Sequence, residues 1–121
     1  MEKKKTLVLG ASQNTARYSN LAINKLWEHG HPVVAIGRRE GTVGDIPIIT
    51  GQKVMDDIDT VTLYLNPANQ KPYYNYILSL HPKRIIFNPG TENAELYELA
   101  LQNGILPREA CTLVLLSTGQ Y

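Results

Sequence analysis

A single-domain α/β fold is predicted for residues 1–121: a doubly wound parallel sheet of about five or six strands with flanking helices. Three observations carry that prediction. Short continuous apolar runs, beginning with Thr6-Leu7-Val8-Leu9, are bounded by charges and glycines, as strands buried on both faces are. Between these runs lie stretches with apolar residues at three- and four-residue spacing, the mark of helices with one buried face. The connections are short and rich in glycine, proline and asparagine. A chain of this length buries roughly two-thirds of its unfolded surface, which suffices for one core.

The elements follow in order. Thr6–Leu9 is the first strand, ended by Gly10. Helical spacing begins near Ser19 and places Ala22, Ile23, Leu26 and Trp27 on one face. Gly30 stops that helix and Pro32 forbids its continuation. Val33–Ile36 is the second strand, completing a strand–helix–strand unit of about thirty residues with the usual right-handed crossover. Glu40–Asp45, with Gly41 and Gly44, reads as a loop, and Ile46–Ile49 as a short strand that Pro47 confines to an edge or end. Gly51–Asp57 has room for one helical turn at most. Thr60–Leu65 is a strand, and Asn66, Pro67 and Asn69 are loop and cap residues. Tyr73, Ile77 and Leu80 mark a helix that Pro82 ends, with Pro72 in its first turn. Arg84–Phe87 is another strand, and Asn88-Pro89-Gly90-Thr91 turns the chain into a helix with Glu92 and Glu95 at its start. Ala94, Tyr97, Ala100 and Leu101 form that helix's buried stripe, and Gly104 closes it. Thr112–Leu116 has strand propensity, with a short terminal helix as the alternative.

The bulk properties exclude several classes. A formal net charge of +1 gives no general attraction to nucleic acid or to an anionic membrane. No apolar stretch approaches the length of a membrane span. Met1-Glu2-Lys3-Lys4-Lys5 is basic but leads straight into a strand, so no secretory leader is expected. Cys111 is the only cysteine, which fits a reducing, cytoplasmic setting, and it reads as a small buried apolar residue. His29, His31 and His81 have no ligand partners at metal spacing and read as surface or capping residues. Asp56, Asp57 and Asp59 read as a solvated cluster. No nucleophile elbow, catalytic triad order or lysine-containing phosphate loop is present, so binding without catalysis is expected. The state of association and any protein partner are not legible.

In open sheets of this kind, ligands sit beyond the carboxyl ends of the strands. Those ends are Gly10–Thr15, Gly37–Arg39, Leu65–Pro67 and Asn88–Thr91, and all are turn-forming. Gly10 permits a tight turn, and Ala11 and Ser12 are small enough to let a pyrophosphate reach backbone amides at a helix start. Ser12 or Asn14 offers a side-chain hydrogen bond, and Arg17 another donor. After the second strand an NAD site places an acid for the ribose hydroxyl. Here Gly37 is followed by Arg38 and Arg39, which suit a phosphorylated ribose instead. The predicted ligand is a phosphorylated adenine nucleotide.

Four segments, in this order and in so short a chain, resemble the small single-domain CoA-binding proteins. Their Rossmann-like fold is shared with the CoA-binding domain of the succinyl-CoA synthetase α subunit. Val8-Leu9-Gly10-Ala11-Ser12-Gln13-Asn14 is similar to that family's opening turn, and Gly37-Arg38-Arg39 to its second-strand loop. Tyr64-Leu65-Asn66-Pro67 and Phe87-Asn88-Pro89-Gly90-Thr91 resemble its third and fourth contact segments, and Cys111 also fits its pattern. The chain departs from relatives at Thr15, at Ile36-Gly37 and in the Asn-Pro-Gly of the fourth turn. The resemblance implies coenzyme A or an acyl-CoA as ligand. Its pyrophosphate would lie on the first helix and its ribose phosphate against Arg38 or Arg39. Adenine would rest on Leu65 and Pro67, and the pantetheine arm would leave along the turn of Asn88, Pro89, Gly90 and Thr91. The synthetase's phosphorylated histidine lies on a separate domain, so the resemblance extends to binding alone. Two other readings stay open: an NADP-dependent oxidoreductase, which would also use two arginines, and a degenerate nucleotide module serving protein contact.

Overall fold

The computed structural model describes residues 2–121. Seven strands form one sheet: β1 (Thr6–Ala11), β2 (Val33–Gly37), β3 (Gly41–Val43), β4 (Ile46–Ile49), β5 (Thr60–Leu63), β6 (Arg84–Phe87) and β7 (Leu106–Glu109). Their order across the sheet is β3-β4-β2-β1-β5-β6-β7. All neighbours run parallel except β3, which is antiparallel to β4. The chain leaves β1 on one side through β2 and returns on the other through β5. The strand order therefore reverses at β1, where such sheets open a crevice.

The helices are α1 (Tyr18–Glu28), α2 (Pro67–Gln70), α3 (Tyr74–Ser79), α4 (Ala94–Gln102) and α5 (Thr112–Ser117), with a 3₁₀ turn, Lys71–Tyr73, joining α2 to α3. Alternation along the strands sorts the core onto two faces. Leu7, Leu9, Leu63, Ile85 and Phe87 pack with Ile77 of α3 and with Leu96 and Ala100 of α4. Val8, Ala35, Ile48 and Ile86 pack with Ile23 and Leu26 of α1 and with Leu115 and Leu116 of α5. Both faces being covered explains why these strands read as unbroken apolar runs.

The sheet has more strands than expected. The predicted loop at Glu40–Asp45 contains β3, which pairs back on β4 through Gly44-Asp45. The positive φ of 56° at Gly44 is what so short a hairpin demands. At the other edge, β7 hides from pattern reading because only Pro107 of its four residues is buried. Thr112–Leu116 resolves as helix, preceded by a half-buried Cys111 that provides no side-chain cap. The buried face of α4 is Leu96 and Ala100, while Ala94 and Leu101 are exposed; Trp27 of α1 is exposed too. The strand expected to reach Leu65 stops at Leu63, freeing Tyr64 and Leu65 to turn over the sheet end.

The amino ends of the strands carry a buried polar cluster that corrects the surface role expected for His31. His31 is 1% exposed, its Nδ1 accepts the Lys4 amide at 3.0 Å, and its ring lies 4.9 Å from that of Tyr121. Arg84, also buried, donates from Nε to Thr60 Oγ1 at 2.7 Å and lies 4.2 Å over the Tyr121 ring. Burial, then Lys3, His29, Lys4 and Arg84, holds His31 below its usual value of 6.5. The folded state thus favours neutral imidazole. Its stabilising contribution is complete above pH 6.5 and is lost as pH falls below that value, because the unfolded chain then takes up the proton first. Melting curves from about pH 8 to about pH 5 should show the midpoint falling below that value, with a flatter profile in His31→Phe. Parallel profiles for the two proteins would contradict this assignment.

Candidate functional site

The carboxyl ends of the central strands frame a groove of about 810 Å³. It brings together the four strand-end segments anticipated from the sequence. From the first come Gly10, Ala11, Ser12 and Asn14, joined by Arg17 from the start of α1. The second supplies Arg38 and Arg39, the third Leu65 and Asn66, and the fourth Pro89 and Gly90. Three anticipated residues do not line it. Gly37 is buried, Pro67 starts α2, and Asn88 is a buried structural residue. Of the other lining residues, Gln13 and Thr91 lie within the anticipated strand-end segments and Tyr64 opens the third contact segment, whereas sequence reading missed Tyr18, Ser19, Glu40 and Asn69.

The first turn is built by close backbone approach. Gly10 has φ +99°, and a Cβ there would lie 2.9 Å from the carbonyl carbon and oxygen of Tyr64. Its presence coincides with the register shift between Leu9 and Ala11 opposite β2. Ser12 and Asn14 shape the path from that glycine to α1. Ser12 Oγ accepts the Asn14 amide at 3.1 Å, Asn14 Oδ1 accepts the Ala16 amide at 2.9 Å, and Asn20 Nδ2 donates to the Ser12 carbonyl at 3.0 Å. Asn14 therefore commits its carboxamide oxygen to the turn, whereas the Ser12 hydroxyl keeps a proton to donate.

Helix α1 begins without a side-chain cap and without an acid in its first turn. By contrast, α2 is capped by Asn66, which accepts the Asn69 amide at 2.9 Å, and α4 by Asn93, which accepts the amides of Glu95 and Leu96. Among the described residues, no protein acceptor meets the amides of Tyr18 and Ser19. The start of α1 is thus an unsatisfied positive pole facing the groove.

Around that pole stand three guanidinium groups, those of Arg17, Arg38 and Arg39. All three residues are exposed. Among the described residues the one salt bridge is Lys83 to Asp59, at 3.8 Å, outside the groove. Glu40 also lines the groove but pairs with none of the arginines. The cations are concentrated where the helix dipole has the same sign, an arrangement that a bound polyanion would relieve.

The other two segments are tied by buried amides. Gln70, fully buried, donates from Nε2 to the carbonyls of Leu65 and Thr91, each at 2.8 Å, and its Oε1 accepts from Asn93 Nδ2 at 2.9 Å. Asn88 donates to Thr62 Oγ1 and the Leu63 carbonyl at 2.7 and 2.9 Å and accepts the Thr112 amide at 2.9 Å, so its side chain serves the fold. The Tyr64 hydroxyl is buried, and that burial pushes its phenol well above the ordinary range, so it stays protonated. No histidine or cysteine lines the groove, and among the described residues no cluster of three or more His, Cys, Asp or Glu could hold a metal ion. No helix among the described residues is long and apolar enough to cross a membrane.

Comparison with known proteins adds the family. The model of a CoA binding domain matches residues 4–117. A crystal structure of an uncharacterized protein is 54% identical to this chain, covers 100% of both chains and superposes with a TM-score of 0.97. A hypothetical protein from Pyrococcus horikoshii OT3 is 24% identical over 93% of this chain and 81% of its own, with a TM-score of 0.84, a likeness of fold. A protein from Thermus thermophilus is 16% identical, covering 98% of this chain and 91% of its own, with a TM-score of 0.86. No curated protein matches the chain.

The Gly10 contact makes a direct prediction. Gly10→Ala should destabilise the protein by about 3 kcal/mol in urea unfolding, combining left-handed backbone strain with overlap on the Tyr64 carbonyl. A change below about 1 kcal/mol would mean the turn relaxes freely.

Proposed function

The chain belongs to the CoA binding domain family, and we propose that it binds coenzyme A or an acyl-CoA through the 3′-phospho-ADP moiety, without catalysing a reaction itself. The observation that carries the mode of binding is the trio Arg17, Arg38 and Arg39, without carboxylate partners, around the uncapped start of α1. Coenzyme A presents two phosphate groupings: a diphosphate and a separate phosphomonoester, the latter carrying about −1.5 to −2 charge. The diphosphate lies on the amides of the Gly10–Tyr18 turn, where the helix dipole and the Ser12 hydroxyl favour it. Arg38 and Arg39 meet the ribose phosphate, for which a guanidinium offers paired N–H donors. Leu65 gives adenine an apolar seat, and the pantetheine arm leaves past Pro89 and Gly90.

Binding without catalysis is supported by the chemistry of the lining. Among the described residues no His or Cys faces the groove, the Tyr64 phenol is held protonated, and Glu40 is the one carboxylate there. The groove also suits an NADP phosphate in charge, so the decisive comparison is between nucleotides.

Thermal melting with coenzyme A, acetyl-CoA, NADP and NAD separates the readings. At about a hundred times the dissociation constant, the favoured ligand should add about 2.7 kcal/mol and raise the midpoint by roughly 10 °C. Stabilisation by the two CoA species supports the proposal; stabilisation by NADP alone supports an oxidoreductase, and by none a protein-contact role. In the double variant Arg38→Ala, Arg39→Ala, coenzyme A should lose about tenfold or more in affinity, and dephospho-CoA much less. Equal losses would remove the ribose-phosphate role. Ser12→Asp should repel the diphosphate and weaken both ligands about tenfold, and an unchanged affinity would move the diphosphate elsewhere.

A further inference from the structure

The loop carrying Arg38 and Arg39 is held against the first turn at both of its ends. At its start, Gly37 packs so closely on β1 that a Cβ would fall 2.4 Å from the Ala11 carbonyl oxygen. At its end, Gly41 packs on Gln13, where a Cβ would fall 2.3 Å from Gln13 Cδ and 2.5 Å from both Cγ and Oε1. The same Gln13 carboxamide accepts the Thr42 amide through Oε1 at 2.8 Å. Only Arg38, Arg39 and Glu40 lie between the two glycines. Backbone contact fixes one end of this span, and a side-chain hydrogen bond fixes the other.

We infer that Gln13 is a positioning residue for ribose-phosphate selectivity: its carboxamide sets the separation between the amides at the start of α1 and the Arg38-Arg39 guanidinium pair. Gln13 belongs to the turn that precedes α1, and Thr42 to the edge strand that follows the arginines. The bond therefore ties together the two segments whose distance a ligand with two phosphate groupings would have to match. A ligand lacking the second phosphate does not sample that distance. Loss of the clamp thus falls on one ligand and not on its truncated form, because ordering a loosened arginine loop subtracts from the affinity of the ligand that needs it. The selectivity half of this inference rests on the coenzyme A reading, and the clamp itself does not.

Gln13→Met tests both halves, since methionine keeps the length and removes the acceptor. Gln13 is exposed, so the variant should fold, with its melting midpoint as the control. Without ligand, the Thr42 amide should exchange with solvent about three- to tenfold faster, and backbone relaxation should show residues 38–40 more mobile. With ligand, coenzyme A should weaken about three- to tenfold while dephospho-CoA stays within about twofold. Gly41→Ala, which displaces the same carboxamide, should reproduce the selective loss. Unchanged exchange and mobility in Gln13→Met would overturn the clamp, whatever the ligand does. Equal weakening of both ligands would overturn the selectivity role and leave coenzyme A binding standing. If the wild-type protein bound no coenzyme A, the functional reading would fall, and a Thr42 amide that then exchanged faster in the variant would still support the clamp.

Discussion

Two backbone contacts that exclude a Cβ govern this molecule. A Cβ at Gly10 would overlap the Tyr64 carbonyl, and one at Gly37 would overlap the carbonyl of Ala11. These contacts join the carboxyl ends of β1, β2 and the segment after β5, the three strands at the reversal of the sheet. Any side chain at either glycine would push those ends apart. With hydrogen there instead, the first turn sinks between its neighbours, and the amides opening α1 come to the floor of the groove. Glycine at these two positions is therefore a geometric requirement of the site.

The rest of the groove is held by a different means. Buried carboxamides act as staples between segments far apart in the chain: Gln70 joins the third segment to the fourth, and Asn88 joins β5 and the start of α5 to β6. Each amide directs most of its donors and acceptors to backbone or hydroxyl partners, and leaving such a partner bare would cost about 1–3 kcal/mol. Polar groups thus set the walls, while the apolar faces hold the helices. The arginines are the exception: they are exposed, carry no protein counter-charge, and stand at the positive end of a helix. A local arrangement that opposes its own electrostatics points to a function met by an anion from outside.

Much of this was legible in the sequence because the responsible forces are local or periodic. Strands covered on both faces leave unbroken apolar runs, so β1, β2, β5 and β6 stand out, and their ends name the segments that meet at the groove. The hidden features depend on partners distant in the chain. The edge strand β7 buries only Pro107, so no apolar run announces it. β3 is the local exception: it is only three residues long, with no apolar run, and its Gly41, Thr42 and Val43 pair with β4 across a tight turn. His31 reads as a surface residue until the Lys4 amide and the Tyr121 ring, both far away in sequence, close over it. Asn88 has the profile of a loop residue, yet Thr62, Leu63 and Thr112 turn it into part of the core. The hydrogen bonds of Gln13 and Gln70 give no signal, since their partners are backbone groups that any residue supplies and, for Gln70, the distant Asn93 side chain.

The most direct test of the central claim is a crystal structure of the protein with coenzyme A bound. The account predicts the diphosphate on the amides between Gly10 and Ser19, within hydrogen-bond reach of Ser12, and the ribose phosphate between the guanidinium groups of Arg38 and Arg39. A nucleotide seated at the amino ends of the strands, near His31 and Arg84, or a phosphomonoester pointing away from both arginines, would contradict it.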